Sequence, residues 1–285
     1  MFTTLITCTE LQALQQSAAP LLIVDCTADL MNPAAGLRQF LDAHIPGATH
    51  ADLDHDLSAH GVADAASGGR HPLPRREVFA HWLRQIGLRT DTQVVVCDRN
   101  GLNFCGRLWW MLKWAGHEAV AVLDGGLAAW MASGGAVESG PATPRAPSDW
   151  TLQPPLRELV TAADVLAHLD QPDQTLIDAR AAPRYRGEVE PLDPVAGHIP
   201  GALNRPFGLN LDEQGRFKPA DTLRAEFEAL LAGRDPASVV HQCGSGVSAL
   251  PNLLAMEVAG FAPTRLFAGS WSEWCRDPSR PVAKG

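Results

Sequence analysis

Six residues toward the C-terminal end carry the densest chemical information in this chain: Cys243-Gly-Ser-Gly-Val-Ser248. A cysteine on a glycine-rich turn sits where backbone N–H groups converge, and a thiolate is an anion such a turn can hold. Gly244 and Gly246 let the backbone fold tightly, positive φ included, at little steric cost. Ser245 and Ser248 add hydroxyl donors. A cysteine kept only for packing has no use for glycines on both sides of the loop centre. The spacing therefore points to a nucleophilic thiolate at Cys243, with Gly244, Gly246, Val247 and Ser248 around its ligand.

The neighbouring segments must present that loop. Ser238-Val239-Val240 is an apolar run that reads as a buried strand, and Leu253 to Val258 reads as a helix. Pro251 lacks an N–H and fits only a first helical turn, which sets the helix start just after Val247 or Ser248. The positive end of that helix then faces the sulfur.

The chain is written twice. Ile23-Val24-Asp25 recurs as Leu176-Ile177-Asp178, and His44-Ile-Pro-Gly-Ala48 as His198-Ile-Pro-Gly-Ala202. The strand Gln93 to Cys97 recurs as Ser238 to Gln242, and Leu123-Asp-Gly-Gly-Leu-Ala-Ala-Trp130 as Phe267-Ala-Gly-Ser-Trp-Ser-Glu-Trp274. The offset, about 145 to 155 residues, is a domain length. Aligning the copies puts Asp98 where Cys243 stands, so the first copy reads as silent and as a wall of the cleft. The expected division is 1–133 for the first domain, 134–155 for a linker and 156–285 for the second. The linker holds Pro141, Pro144, Pro147, Pro154 and Pro155, which cannot sit in a helix, and Trp150 as an anchor.

Apolar β runs alternate with helical patterns in each copy. Thr9-Glu-Leu-Gln12 and Thr161-Ala-Ala-Asp164 read as capping boxes, and Val78–Ile86, Phe104–Trp114 and Leu223–Ala232 as helices. Alternation of this kind predicts an α/β fold, a parallel sheet with helices on both faces, and a ligand site past the carboxyl ends of the strands.

Composition bounds the rest. The 285 residues are 46% apolar and 19% charged, with net charge −9, which fits a globular protein and argues against nucleic acid as a partner. No apolar run is long enough to span a membrane, and the N-terminus has neither a basic start nor an apolar core typical of a signal peptide. Cys8, Cys26, Cys97, Cys105, Cys243 and Cys275 are scattered without zinc-like spacing, so no metal or other cofactor is expected. Free thiols point to a reducing, cytoplasmic setting. Apart from Cys243, they read as packing residues, with Cys275 partly exposed.

The loop Cys243 to Ala249, both His-Ile-Pro-Gly-Ala motifs and Gly269-Ser-Trp-Ser-Glu-Trp274 together resemble tandem rhodanese-type sulfurtransferases over nearly the whole chain. The loop is most like the mercaptopyruvate form, Cys-Gly-Ser-Gly-Val-Thr-Ala, with Ser248 for Thr. Thiosulfate-type members carry basic residues directly after the cysteine, and this loop has none. The resemblance implies that the thiolate takes sulfur from a small-molecule donor as a persulfide. It then passes the sulfur to cyanide, a small thiol or a reduced protein thiol. It also implies that Arg184, in Arg184-Tyr-Arg186-Gly187, grips the donor carboxylate. Mercaptopyruvate-type members pair the loop serine with a histidine and an aspartate, and Ser245, His71 and Asp54 match those positions as a proton relay. One departure stands out. The family's second arginine, in a Pro-Arg-x-Gly stretch, is missing, and Glu190-Pro-Leu-Asp193-Pro stands there; Arg186 is the candidate substitute.

Three other readings compete. A cysteine phosphatase needs an arginine to close the loop, and Ala249 occupies that place. A thiosulfate sulfurtransferase shares the mechanism with another donor. A non-catalytic rhodanese-type binding module is expected to lack the cysteine in both copies. His44 and His198 recur in both copies and so read as structural, as does Arg180 beside Asp178, while Trp109, Trp110, Trp114, Trp271 and Trp274 read as core.

Overall fold

A computed structural model describes residues 1–285. In the first half the elements run β1 Leu5–Ile6, α1 Cys8–Gln15, β2 Leu21–Asp25, α2 Ala34–Asp42, β3 Thr49–His50, α3 Arg76–Gln85, β4 Gln93–Cys97, α4 Cys105–Trp114, β5 Val120–Leu123 and α5 Gly126–Ala132. The second half runs α6 Ala162–Ala167, β6 Thr175–Asp178, α7 Ala182–Tyr185, β7 Leu203–Asn204, α8 Ala220–Leu231, β8 Val239–Gln242, α9 Leu250–Val258, β9 Arg265–Leu266 and α10 Ser270–Trp274.

Every paired strand is parallel. One sheet has the order β1-β5-β4-β2-β3 and the other β7-β6-β8-β9. The inner strands β4 and β8 are buried along their whole length, as parallel strands covered on both faces must be. Asp98 and Cys243 are the first residues past the carboxyl ends of β4 and β8, at matching places in the two sheets.

Packing divides the chain into two compact units. Unit 1 comprises Met1–Ala59, Pro74–Leu156 and Glu213–Phe217; unit 2 comprises His60–Leu73, Arg157–Asp212 and Lys218–Gly285. The proline-rich stretch lies within unit 1, where Trp150 is buried and its ring meets that of His117 edge-on. Residues 60–73 leave the first half of the sequence and fold with the second.

Apolar layers of Phe40, Val95, Leu123 and Trp130 fill unit 1, and Val240, Phe267, Trp271 and Trp274 fill unit 2. Trp109 and Trp110 are fully buried on α4. The repeated histidines are structural. His44 stacks on Phe40 and its Nδ1 lies 2.8 Å from the Phe40 carbonyl; His198 stacks on Tyr185 with the same 2.8 Å contact to the Tyr185 carbonyl.

Two local expectations are corrected. The capping box of α1 starts at Thr7, not Thr9: Thr7 Oγ1 accepts from the Glu10 N–H, and Glu10 accepts the Thr7 N–H. Two frames of the same spacing overlap there, and the charged Glu10 at the positive helix end outcompetes the neutral Gln12. Cys275 is buried rather than partly exposed. The box at Thr161 and Asp164 forms as read. No helix is long and apolar enough to cross a membrane.

Candidate active site

Cys243 is 1% exposed and opens a seven-residue passage from the end of β8 to the start of α9 at Leu250. Pro251 stands in the first turn of α9, where its missing N–H costs nothing. Gly246 has φ +75°, and a Cβ there would lie 2.2 Å from the Ala268 carbonyl oxygen, so only glycine fits. Gly244 has no such constraint on φ and serves a different purpose. A Cβ on Gly244 would lie 3.1 Å from Arg70 Nη2 and 3.5 Å from Arg184 Nη1. The bare backbone lets two guanidiniums settle on the loop.

Residues 60–73 supply half of this arrangement. Arg70 N–H donates to Ser272 Oγ at 3.0 Å, and Gly68 N–H to Glu273 Oε2 at 3.1 Å, which ties the segment to α10. His71 Nδ1 then lies 2.8 Å from Ser245 Oγ, and the ring of His60 packs edge-on against that of His71. Of the three relay candidates, His71 and Ser245 meet within unit 2. Asp54 belongs to unit 1, where its N–H donates to Asp52 Oδ1.

The cations are strongly paired. Arg184 donates from Nε and Nη2 to Glu190, at 3.2 and 2.7 Å, and from Nη2 to Asp193 at 3.4 Å. Arg70 pairs with the other oxygen of Asp193. Arg180 grips Asp178 from three bonds, reaches Glu190, and lies over the Trp271 ring. Burial opposes the charge of Arg180, yet Asp178 and Glu190, with Cys243, hold its pKa above the ordinary value. Arg186 forms an exposed pair with Glu188, and it is Arg70, not Arg186, that joins Arg184 at Gly244.

Sequence reasoning missed two residues here. Arg70 stands next to His71, and that adjacency was the available signal. Ser270 has φ +54°, a left-handed conformation that Gly126 adopts at the same place in unit 1 with φ +58°. Its hydroxyl accepts the Cys243 N–H at 3.0 Å and lies 4.0 Å from Cys243 Sγ. A serine kept where glycine is easier implies a use for the hydroxyl.

Unit 1 shows what such a loop binds. The Asp98 carboxylate accepts four backbone N–H bonds, from Asn100, Leu102, Phe104 and Cys105, at 2.8 to 3.0 Å. The passage from β4 to α4 has the same length as that from β8 to α9, and Gly101 and Gly246 share a positive φ. The turn is an anion receptor, filled in unit 1 by its own side chain. Burial pushes the thiols of Cys26, Cys97, Cys105 and Cys275 upward.

A cysteine on an anion-binding turn, past the central strand of a parallel α/β sheet and repeated once without the cysteine, defines a class. The rhodanese-like domain family matches residues 7–133 and 161–277. The chain belongs to this family, as a sulfurtransferase with two such domains in tandem. It is 50% identical over 277 residues to a Pseudomonas aeruginosa protein named "Probable 3-mercaptopyruvate sulfurtransferase", covering 96% of this chain and 95% of that one. It is 41% identical over 288 residues to a Mycobacterium tuberculosis protein named "Putative thiosulfate sulfurtransferase SseB", covering 99% and 97%. The crystal structure of SseA from Escherichia coli, described as a 3-mercaptopyruvate sulfotransferase, matches with TM-score 0.78 at 32% identity, over 95% of this chain and 100% of that one. Relatives named as enzymes set aside the reading as a non-catalytic module.

Proposed function

We propose that this protein moves a sulfur atom from 3-mercaptopyruvate to cyanide or a thiol through a persulfide on Cys243. The observation that carries this reading is the pair of guanidiniums, Arg70 and Arg184, beside Gly244 of a cysteine loop that has no charged side chain of its own. Two planar forks suit one carboxylate, and an uncharged loop leaves room for the rest of a small keto acid.

The chemistry follows from the residues. The donor's carboxylate docks on Arg184 and Arg70, and its thiol sulfur meets the Cys243 thiolate. The thiolate's electron pair forms the S–S bond, and the C–S bond breaks with its pair left on carbon as the enolate of pyruvate. A proton returned to that carbon gives pyruvate and leaves Cys243 as a persulfide. The Ser245 hydroxyl, bonded to His71 Nδ1, handles this proton or polarises the keto oxygen. Asp54 is assigned the third place in the relay through the family resemblance.

The persulfide anion needs donors. By comparison with the Asp98 cradle, the N–H groups of Ser245, Val247 and Ala249 take the parts of Asn100, Leu102 and Phe104, and the Ser270 hydroxyl adds another. Cyanide, a small thiol or a reduced protein thiol then attacks the outer sulfur, and the Cys243 thiolate is released. Gly244, Gly246 and Ser248 shape the donor pocket, and Arg186 lies outside it. The first copy is silent because a carboxylate cannot carry sulfane sulfur. Six unbridged cysteines suit a reducing cytoplasm.

Thiosulfate as donor is the second reading, favoured by the name of the mycobacterial relative. Steady-state kcat/KM for both donors, with cyanide as acceptor, separates the two. The expected result is a higher value for 3-mercaptopyruvate; a higher value for thiosulfate replaces the donor and keeps the persulfide.

A further inference from the structure

We infer that Asp193 is a specificity-determining residue, which makes the site select a singly charged donor over a doubly charged one. The inference deepens the function proposed above and takes from it that both donors use the site of Arg70 and Arg184.

The side chains of Glu190 and Asp193 are 3% and 2% exposed, so their charges are poorly screened by water. Their loop holds them inward: Glu190 Oε1 accepts the N–H groups of Leu192 and Asp193 at 3.1 and 3.2 Å. The Val195 carbonyl accepts Trp271 Nε1 at 2.8 Å, which fixes the same loop to α10. Asp193 is the residue that touches both donor-facing cations, Arg70 with one oxygen and Arg184 with the other. Its field also reaches the neighbouring thiol: Cys275 is pushed up first by burial and next by Asp193.

Counting charges gives the consequence. Arg70, Arg180 and Arg184 face Asp178, Glu190 and Asp193, three against three. The cluster is formally neutral, although it is rich in arginine. Near neutral pH, 3-mercaptopyruvate brings one negative charge through its carboxylate, and thiosulfate brings two. Repulsion from Asp193 grows with donor charge, so it penalises thiosulfate twice as heavily. The two arginines still give directed hydrogen bonds to a carboxylate, which keeps the monoanion bound. Discrimination of this kind comes from a repulsive element placed against the competitor.

Asp193→Asn tests this, because the amide keeps the shape and one acceptor oxygen while removing the charge. The ratio of kcat/KM for thiosulfate to that for 3-mercaptopyruvate should rise on the order of tenfold, as one unmatched charge within several ångströms predicts. Asp193→Glu should return the ratio toward that of the wild type. A loop merely loosened by the substitution lowers both donors by one factor, and an unchanged or falling ratio overturns the inference. If Asp193→Asn does not fold, Asp193→Ser reads the same charge. A wild type that prefers thiosulfate contradicts the donor proposed above, and the Asp193 inference is still decided by whether the ratio moves.

Discussion

Arg70 and Arg184 divide between them what one side chain cannot do, and single substitutions should reveal it. Arg184→Ala is expected to lower kcat/KM for 3-mercaptopyruvate by about 10² to 10³, the loss of a charge-assisted fork. Arg184→Lys should recover only part, because an ammonium cannot match a planar carboxylate twice. Arg70→Ala should act in the same direction; unchanged donor kinetics there would remove it from the site. At this scale the sequence was partly legible. Cys243 and its glycines announce themselves, since Gly244 and Gly246 mark a tight turn that other groups approach closely. Pairing of Arg184 with Glu190 was foreseeable from their closeness. Arg70 was legible only through its neighbour His71, because 174 residues separate His71 from Ser245 and the tertiary fold brings them to hydrogen-bond distance. Ser270 was hidden for another reason: its meaning lies in a backbone φ that composition does not report.

Two central strands of like geometry carry different loads. His241 on β8 is fully buried, neither ring nitrogen has a hydrogen-bond partner, and burial pushes its pKa down to about 3. Val96 stands at the same place on β4. As pH falls below about 6.5, the unfolded chain protonates this histidine while the folded one resists. Stability is therefore complete above that value and is lost on the way down to pH 3, at up to about 1.4 kcal/mol per pH unit. His241→Val should flatten the decline between pH 7 and 5, measured as urea-unfolding midpoints of both proteins. Parallel declines in the two proteins would mean that His241 is hydrated or already charged. In unit 1 the loop depends on Asp98. Asp98→Ala leaves four N–H groups without an acceptor and should cost about 2 to 4 kcal/mol of stability. Strand and helix positions were mostly legible from apolar period, and β4 was read residue for residue. The start of α1 was not, because two capping frames overlap in six residues, Thr7 to Gln12.

Duplication gives the molecule its own control. The two copies share strand order around β4 and β8, the stacked histidine before Ile-Pro-Gly, and a loop of one length. They differ where chemistry is placed, Asp98 against Cys243, and Gly126 against Ser270. The repeat itself was plain in the sequence, because the same motifs recur in the same order about one domain length apart. Which segment packs where was not, since residues 60–73 belong by position to the first copy and by packing to the second unit. That exchange brings Arg70 and His71 to the cysteine loop. Introducing cysteine at Asp98 in a Cys243→Ser background should not restore sulfur transfer, because the Gly244–Arg70–Arg184 arrangement belongs to unit 2 alone. Activity in that double variant would mean that the loop suffices by itself. The most direct test of the whole account is intact-protein and peptide mass analysis after 3-mercaptopyruvate is added without an acceptor. The account predicts one added sulfur on the peptide bearing Cys243, its removal by cyanide, and none in Cys243→Ser; sulfur on another cysteine, or transfer that persists in that variant, would contradict it.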